Sequence, residues 1–134
     1  MIIADYIMLT HRRASVRPDT TGKEIAFKLM STGLPGLPVI NENTEVIGIV
    51  SAFDLLGALR EGMNLDEFNA ARIMSKEPIT AGIGTRAEEL IEMMLENNFT
   101  MIPIVKDKKL VGIVDRTSLM EAYIEPALKR YVKE

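Results

Sequence analysis

The sequence has no cysteine, no tryptophan and a single histidine among its 134 residues. Without cysteine there is no disulfide, no thiol nucleophile and no zinc site built on thiolates. One histidine leaves nothing to complete the common Cys/His metal clusters, so no metal site is expected. No apolar run approaches the roughly 18–20 residues that a membrane helix requires, and nothing at Met1–Thr10 reads as a secretion signal. The expected compartment is therefore the cytoplasm, with no membrane insertion. A basic excess is also missing: the net charge is −3 and the pI near 5.3, which argues against electrostatically driven nucleic-acid binding. The common nucleotide-loop, zinc-protease, serine-hydrolase and calcium-loop motifs are absent. Gly82-Ile83-Gly84 lacks the third glycine of a dinucleotide fingerprint. With no spaced pair of carboxylates either, no catalytic constellation is expected and the chain is not read as an enzyme.

What is present is ordinary for a globular protein: 47% hydrophobic and 26% charged residues. A chain of this length forms one compact domain that buries about two-thirds of its unfolded surface without any covalent staple.

The order of its residues is less ordinary, because the sequence repeats itself. Ile7-Met8 recurs as Ile73-Met74 and Met30–Val39 runs parallel to Leu95–Ile104. Gly48-Ile49-Val50 recurs as Gly112-Ile113-Val114, and Leu55 and Ala58 recur as Leu119 and Ala122. The offset drifts from 66 to 65 to 64 residues, as two single-residue indels in loops would produce. The expected units are 1–62 and 63–134.

Each unit reads as β-α-β-β-α. A short apolar-ended segment (Tyr6-Ile7-Met8; Arg72-Ile73-Met74) precedes a brief extended piece (Ala14–Arg17; Ile79–Ala81). A helix follows, announced by a capping box in Thr21-Gly22-Lys23-Glu24 and in Thr85-Arg86-Ala87-Glu88. Apolar stripes at Ile25, Ala26, Leu29 and Met30, and at Leu90, Ile91, Met94 and Leu95, run to Gly33 and Asn98 as left-handed caps. Leu37–Ile40 with Val46–Val50, and Ile102–Val105 with Leu110–Val114, form hairpins around polar turns. Phe53–Arg60 and Thr117–Tyr123 are closing helices. One such unit alone leaves a sheet face bare, so two must pack together.

This duplicated order, with the strand-to-helix junction Gly48-Ile49-Val50-Ser51-Ala52-Phe53-Asp54, resembles a pair of CBS domains, often called a Bateman module. The opening Tyr6-Ile7-Met8 and Arg72-Ile73-Met74, the helix entry Pro18–Thr21 and the Pro38 and Pro103 strands fit the same family. The resemblance implies an α/β fold of the α+β type: two tandem repeats packed with pseudo-twofold symmetry and two clefts between them. It further implies a regulatory module sensing an adenosine-containing ligand, of the AMP, ADP, ATP or S-adenosylmethionine class. Such modules commonly pair into a disk-like homodimer that signals to an effector protein. The ligand is regulatory; no catalytic cofactor is implied. A stand-alone module is expected, with output passing to a separate partner.

Carried over residue by residue, the resemblance assigns ribose to Asp54, phosphate to Ser51, and the adenine walls to Val16, Leu37 and Pro38. A carboxylate accepts two hydrogen bonds from a ribose diol, and a hydroxyl with backbone N–H groups at a helix start favours an anionic phosphate. The same four residues Ser51–Asp54 equally describe a helix cap, with Ser51 as N-cap and Asp54 as the acid three residues on. In the second repeat Asp115 stands where Ser51 does and Ser118 where Asp54 does. A carboxylate in the phosphate seat repels an anion, unless Arg116 or a cation offsets it. Thr80, Ile102, Pro103, Asp115 and Ser118 are therefore expected to form a second, weaker cleft. The alternative function is a constitutive dimerisation scaffold whose clefts have lost ligand affinity. Arg17, beside His11-Arg12-Arg13, either reaches a phosphate tail or belongs to a solvated loop. Lys106–Lys109 reads as a charged turn. Met30, Met93, Met94, Met101 and Met120 read as core filler, with a soft dimer surface as the second reading.

Overall fold

The computed structural model describes residues 14–122. The readings at Tyr6-Ile7-Met8, at His11-Arg12-Arg13 and from Tyr123 onward lie outside them. The first helix, α1 (Gly22–Thr32), starts where its cap dictates. Thr21 Oγ1 accepts from the Glu24 N–H at 3.2 Å and donates to the Glu24 carboxylate. Gly33 ends it at φ 69°, a left-handed conformation that costs a residue bearing Cβ about 1 kcal/mol. The hairpin of β1 (Gly36–Ile40) and β2 (Val46–Ser51) follows, then α2 (Ala52–Arg60).

After a linker come α3 (Ala70–Ile73) and β3 (Ser75–Lys76), then β4 (Ala81–Gly82), α4 (Ala87–Asn97), β5 (Met101–Lys106) and β6 (Lys109–Asp115). Residues 116–122 form α5. The strands make two three-stranded sheets, β1-β2-β3 and β4-β5-β6. Val16 bridges Val39 in parallel just as Ala81 bridges Ile104, each 65 residues further on. The α/β architecture of two tandem β-α-β-β-α repeats is thus present as expected.

Three local features differ from the sequence reading. The expected box at Thr85–Glu88 does not form. Arg86 occupies the N-cap of α4 and makes no side-chain cap bond, while Thr85 N–H is turned back onto Gly82 O at 3.0 Å. Thr85 lies one residue too early because the indel sits between it and the helix; the true counterpart of Thr21 is Arg86. Second, α3 and β3 were not anticipated, being too short for any periodicity to show. β3 pairs with β2 at Gly48 and Ile49, so the start of the second repeat completes the first repeat's sheet. Third, only some methionines are core. Met94 and Met101 are buried, whereas Met30 and Met120 are 77% and 57% exposed.

Two apolar clusters form, one per repeat, but the first also takes in Met101 and Ile113 from the second repeat. The linker binds the start of α1: Gly22 and Lys23 donate to Phe68 O and Leu65 O at 3.0 and 3.2 Å. These are the N–H groups that a helix cannot satisfy within itself. Gly22 is required by that approach, since a Cβ there would lie 2.6 Å from the Phe68 ring. Among the described residues no helix is long and apolar enough to cross a membrane.

Candidate functional site

The site residues of the first repeat are ordered by the register of one sheet. Val16 N–H donates to Pro38 O at 3.0 Å and Val16 O accepts from Ile40 N–H at 2.9 Å. Across β1, Leu37 pairs with Val50 and Gly36 with Ser51. Val16, Leu37, Pro38 and Ser51 therefore lie on neighbouring strands, and the chain turns into α2 directly after Ser51. Val16, Leu37 and Pro38 are all buried, with the Val16 and Leu37 side chains in the first core cluster.

Ser51 and Asp54 close a complete capping box. Asp54 Oδ2 accepts from Ser51 N–H at 2.8 Å and from Ser51 Oγ at 2.9 Å, and Ser51 Oγ accepts from Asp54 N–H at 3.2 Å. The carboxylate bonds all converge on Oδ2, and Oδ1 has no partner among the described residues. Asp54 is half-buried and opens into a recess of about 280 Å³ shared with Phe53, Gly57, Arg72 and Ile73. Arg72 and Ile73 belong to α3, so the recess exists only because the second repeat's opening segment packs against the first. Val16 and Arg17 open into a different recess of about 620 Å³, beside Lys23, Phe27 and Lys28.

In the second repeat the same cap is built with its two residues exchanged. Ser118 Oγ accepts from Asp115 N–H at 2.9 Å, and Asp115 Oδ1 accepts from Ser118 N–H at 2.7 Å. Ser118 Oγ donates to Asp115 O at 3.1 Å. Both residues are buried, 7% and 2% exposed, so the Asp115 carboxylate lies inside, against the positive end of a helix. The guanidinium of Arg116 turns to the end of α4, donating to Phe99 O at 3.0 Å and to Asn98 Oδ1 at 2.8 Å. These bonds stabilise the negative pole of that helix. Ile102 and Pro103 are fully buried on β5.

Thr80 lines a cleft between the repeats. It lies with Pro78, Val105 and Lys108 on one side and Asn41, Glu45, Val46 and Ile47 on the other, around about 380 Å³. Sequence reasoning missed Asn41, Glu45, Ile47 and Lys108, which come from the hairpin turns. Their signal was topological: a turn that recurs in both repeats is where a twofold arrangement brings the two halves together. Among the described residues no group of acidic or histidine side chains is placed to hold a metal ion.

The CBS domain model matches residues 3–61 and again 70–125. An uncharacterised protein of Methanopyrus kandleri, MK0525, is 34% identical over 119 residues, covering 87% of this chain and 60% of that protein. The crystal structure of CBSX2 in complex with AMP, a chloroplastic CBS domain-containing protein of Arabidopsis thaliana, superposes with a TM-score of 0.75. Its identity is 26%, over 88% of this chain and 92% of that one. The CBS domain pair of protein MJ0100, crystallised with 5′-methylthioadenosine and S-adenosyl-L-methionine, has the same fold, with a TM-score of 0.80 at 21% identity. It covers 92% of this chain and 99% of that one. The chain spans no more than 60% of the length of the M. kandleri relative. Twice matched by the family model over most of its length, this chain belongs to the CBS domain family.

Proposed function

We propose that this chain is a regulatory module that binds an adenosine-containing ligand, AMP first among them, and passes the binding event to an effector protein through a homodimer. The observation that carries the proposal is the Ser51–Asp54 cap. It satisfies the start of α2 with Oδ2 alone, so Oδ1 stays available to a ribose hydroxyl. The AMP-bound structure of a relative 26% identical supports the ligand class. Ser51 contributes a helix start that favours phosphate, Arg17 an exposed cation for a phosphate tail, and Val16 and Leu37–Pro38 the backbone edge for the base. Thr80 and the cleft around it form the second site, weakened by the buried Asp115. The module performs no chemistry on its ligand. It acts in the cytoplasm, and signals because the ligand has different affinity for two arrangements of the dimer.

Thermal unfolding with AMP, ADP, ATP and S-adenosylmethionine, on the wild type and on Asp54→Ala and Ser51→Ala, tests this. A ligand at about 100 times its Kd stabilises by about 2.7 kcal/mol, several degrees in Tm. The expected result is a shift with one adenosyl ligand, lost in Asp54→Ala. No shift with any of them at millimolar concentration removes the sensor.

The alternative is a scaffold without ligand affinity. The exchanged pair Asp115/Ser118 favours it, because both side chains are buried in their cap. A stable dimer that ignores every ligand is its signature.

A further inference from the structure

The two helical faces of this chain are not alike, although repetition makes them counterparts. On α1 the exposed stripe Lys23, Phe27 and Met30 runs at i, i+4, i+7. The corresponding stripe of α4, 65 residues on, reads Glu88, Glu92 and Leu95. α1 carries Lys23 and Lys28 against Glu24, a small positive excess. α4 carries Glu88, Glu89, Glu92 and Glu96 and no basic residue, with Arg86 just ahead of it pairing with Glu88 at 3.5 Å. On α2, Phe53 and Leu56 stand out at 83% and 64% exposure, while the counterpart of Phe53 on α5 is Thr117. The first face thus presents two protruding phenylalanines, Phe27 at 69% exposure and Phe53. The second presents a groove of about 520 Å³ between α4 and α5, floored by Ile91, Met94 and Leu119.

Resting on the homodimer reading above, we propose that two copies associate head to tail, the α1/α2 face of one covering the α4/α5 face of the other. Protruding rings then meet a groove, and the lysines of α1 meet the glutamates of α4. Head-to-head pairing would instead set four glutamates against the same four in the partner, where like charges repel, and would leave rings against rings and groove against groove. The apolar stripe positions Met30 and Leu95, each more than three-quarters exposed, become partners across the interface. So do Leu56 and Met120.

The absence of cysteine makes the orientation directly readable. Met30→Cys and Leu95→Cys are prepared separately, one with a purification tag, and oxidised with diamide alone and after mixing under reducing conditions. The expected product is a mixed disulfide dimer in the mixture and little cross-linking of either variant alone. Self-linked Met30→Cys and self-linked Leu95→Cys would overturn the orientation while leaving the dimer intact. A dimer that cross-links in neither way places the interface on another face and also overturns it. Sedimentation equilibrium of the wild type separates these outcomes from a monomer, which would remove the dimer reading beneath the proposal. Glu92→Lys gives an independent sign. Head to tail, the dimer dissociation constant rises about 2- to 5-fold; head to head, it falls.

Discussion

Glu45 and Lys109 are counterparts in the two repeats, 64 residues apart, and they pair with each other in an antiparallel bridge. Beside them Leu110 N–H donates to Thr44 O at 3.0 Å. A residue that pairs with its own counterpart lies on the pseudo-twofold axis, so the start of β2 and the start of β6 are where the halves join. Their charges are opposite, which suits a directly opposed cross-strand pair. Lys109→Glu is expected to destabilise by up to about 1 kcal/mol. The double exchange Glu45→Lys/Lys109→Glu is expected to recover most of that in urea unfolding. Additive losses in the cycle would show that the side chains do not interact.

The two junction caps differ in burial and should differ in cost. Ser51→Ala removes a half-buried cap that water can partly replace, a loss of about 1 kcal/mol. Ser118→Ala strands a buried Asp115 N–H and is expected to cost more, about 1–3 kcal/mol. Chemical denaturation of both variants checks the order, and equal losses would contradict it.

Restoring the first repeat's order in the second, by Asp115→Ser with Ser118→Asp, keeps a reciprocal cap while moving the carboxylate three residues along the helix. The expected outcome is a fold of near wild-type stability and an AMP stoichiometry that rises toward two per chain in titration calorimetry. A stoichiometry that stays unchanged would show that the exchange is not what distinguishes the two clefts.

Glycine substitutions should split by environment. Gly57 lies inside α2 with nothing within 4 Å of an added Cβ, so Gly57→Ala is expected to stabilise by about 0.5–1 kcal/mol. Gly22→Ala drives a methyl into the Phe68 ring and Leu65 O and is expected to cost about 1–3 kcal/mol. Opposite Tm shifts of the two variants are the test.

Met101→Ala probes whether the repeats unfold as one. Met101 belongs to the second repeat but is buried in the first repeat's cluster, beside Gly36. Removing it is expected to cost about 2–5 kcal/mol in a single transition. Two separated transitions would show that the repeats are energetically independent.

Local chemistry was legible in the sequence because it acts over a few residues. Thr21 with Glu24, Gly33 and Asn98 as left-handed caps, the stripe of Ile25 and Leu29, and both hairpins follow from spacing alone, as does the duplication that implies a twofold arrangement. The box at Thr85 failed for the same reason: a one-residue indel displaces the cap from the helix it was to start, and local pattern cannot tell which register wins. The residues Ser51 and Asp54 were legible as a pair, yet equally as cap and as ligand group, and the fold gives the cap to one carboxylate oxygen while sparing the other. Only the tertiary structure decided that β3 crosses to the first sheet, that Arg72 shares a recess with Asp54, and that Asn41, Glu45 and Lys108 line the cleft with Thr80. These are contacts between segments distant along the chain. Such contacts are set by how two amphipathic layers bury their faces against one another, which no window of sequence contains.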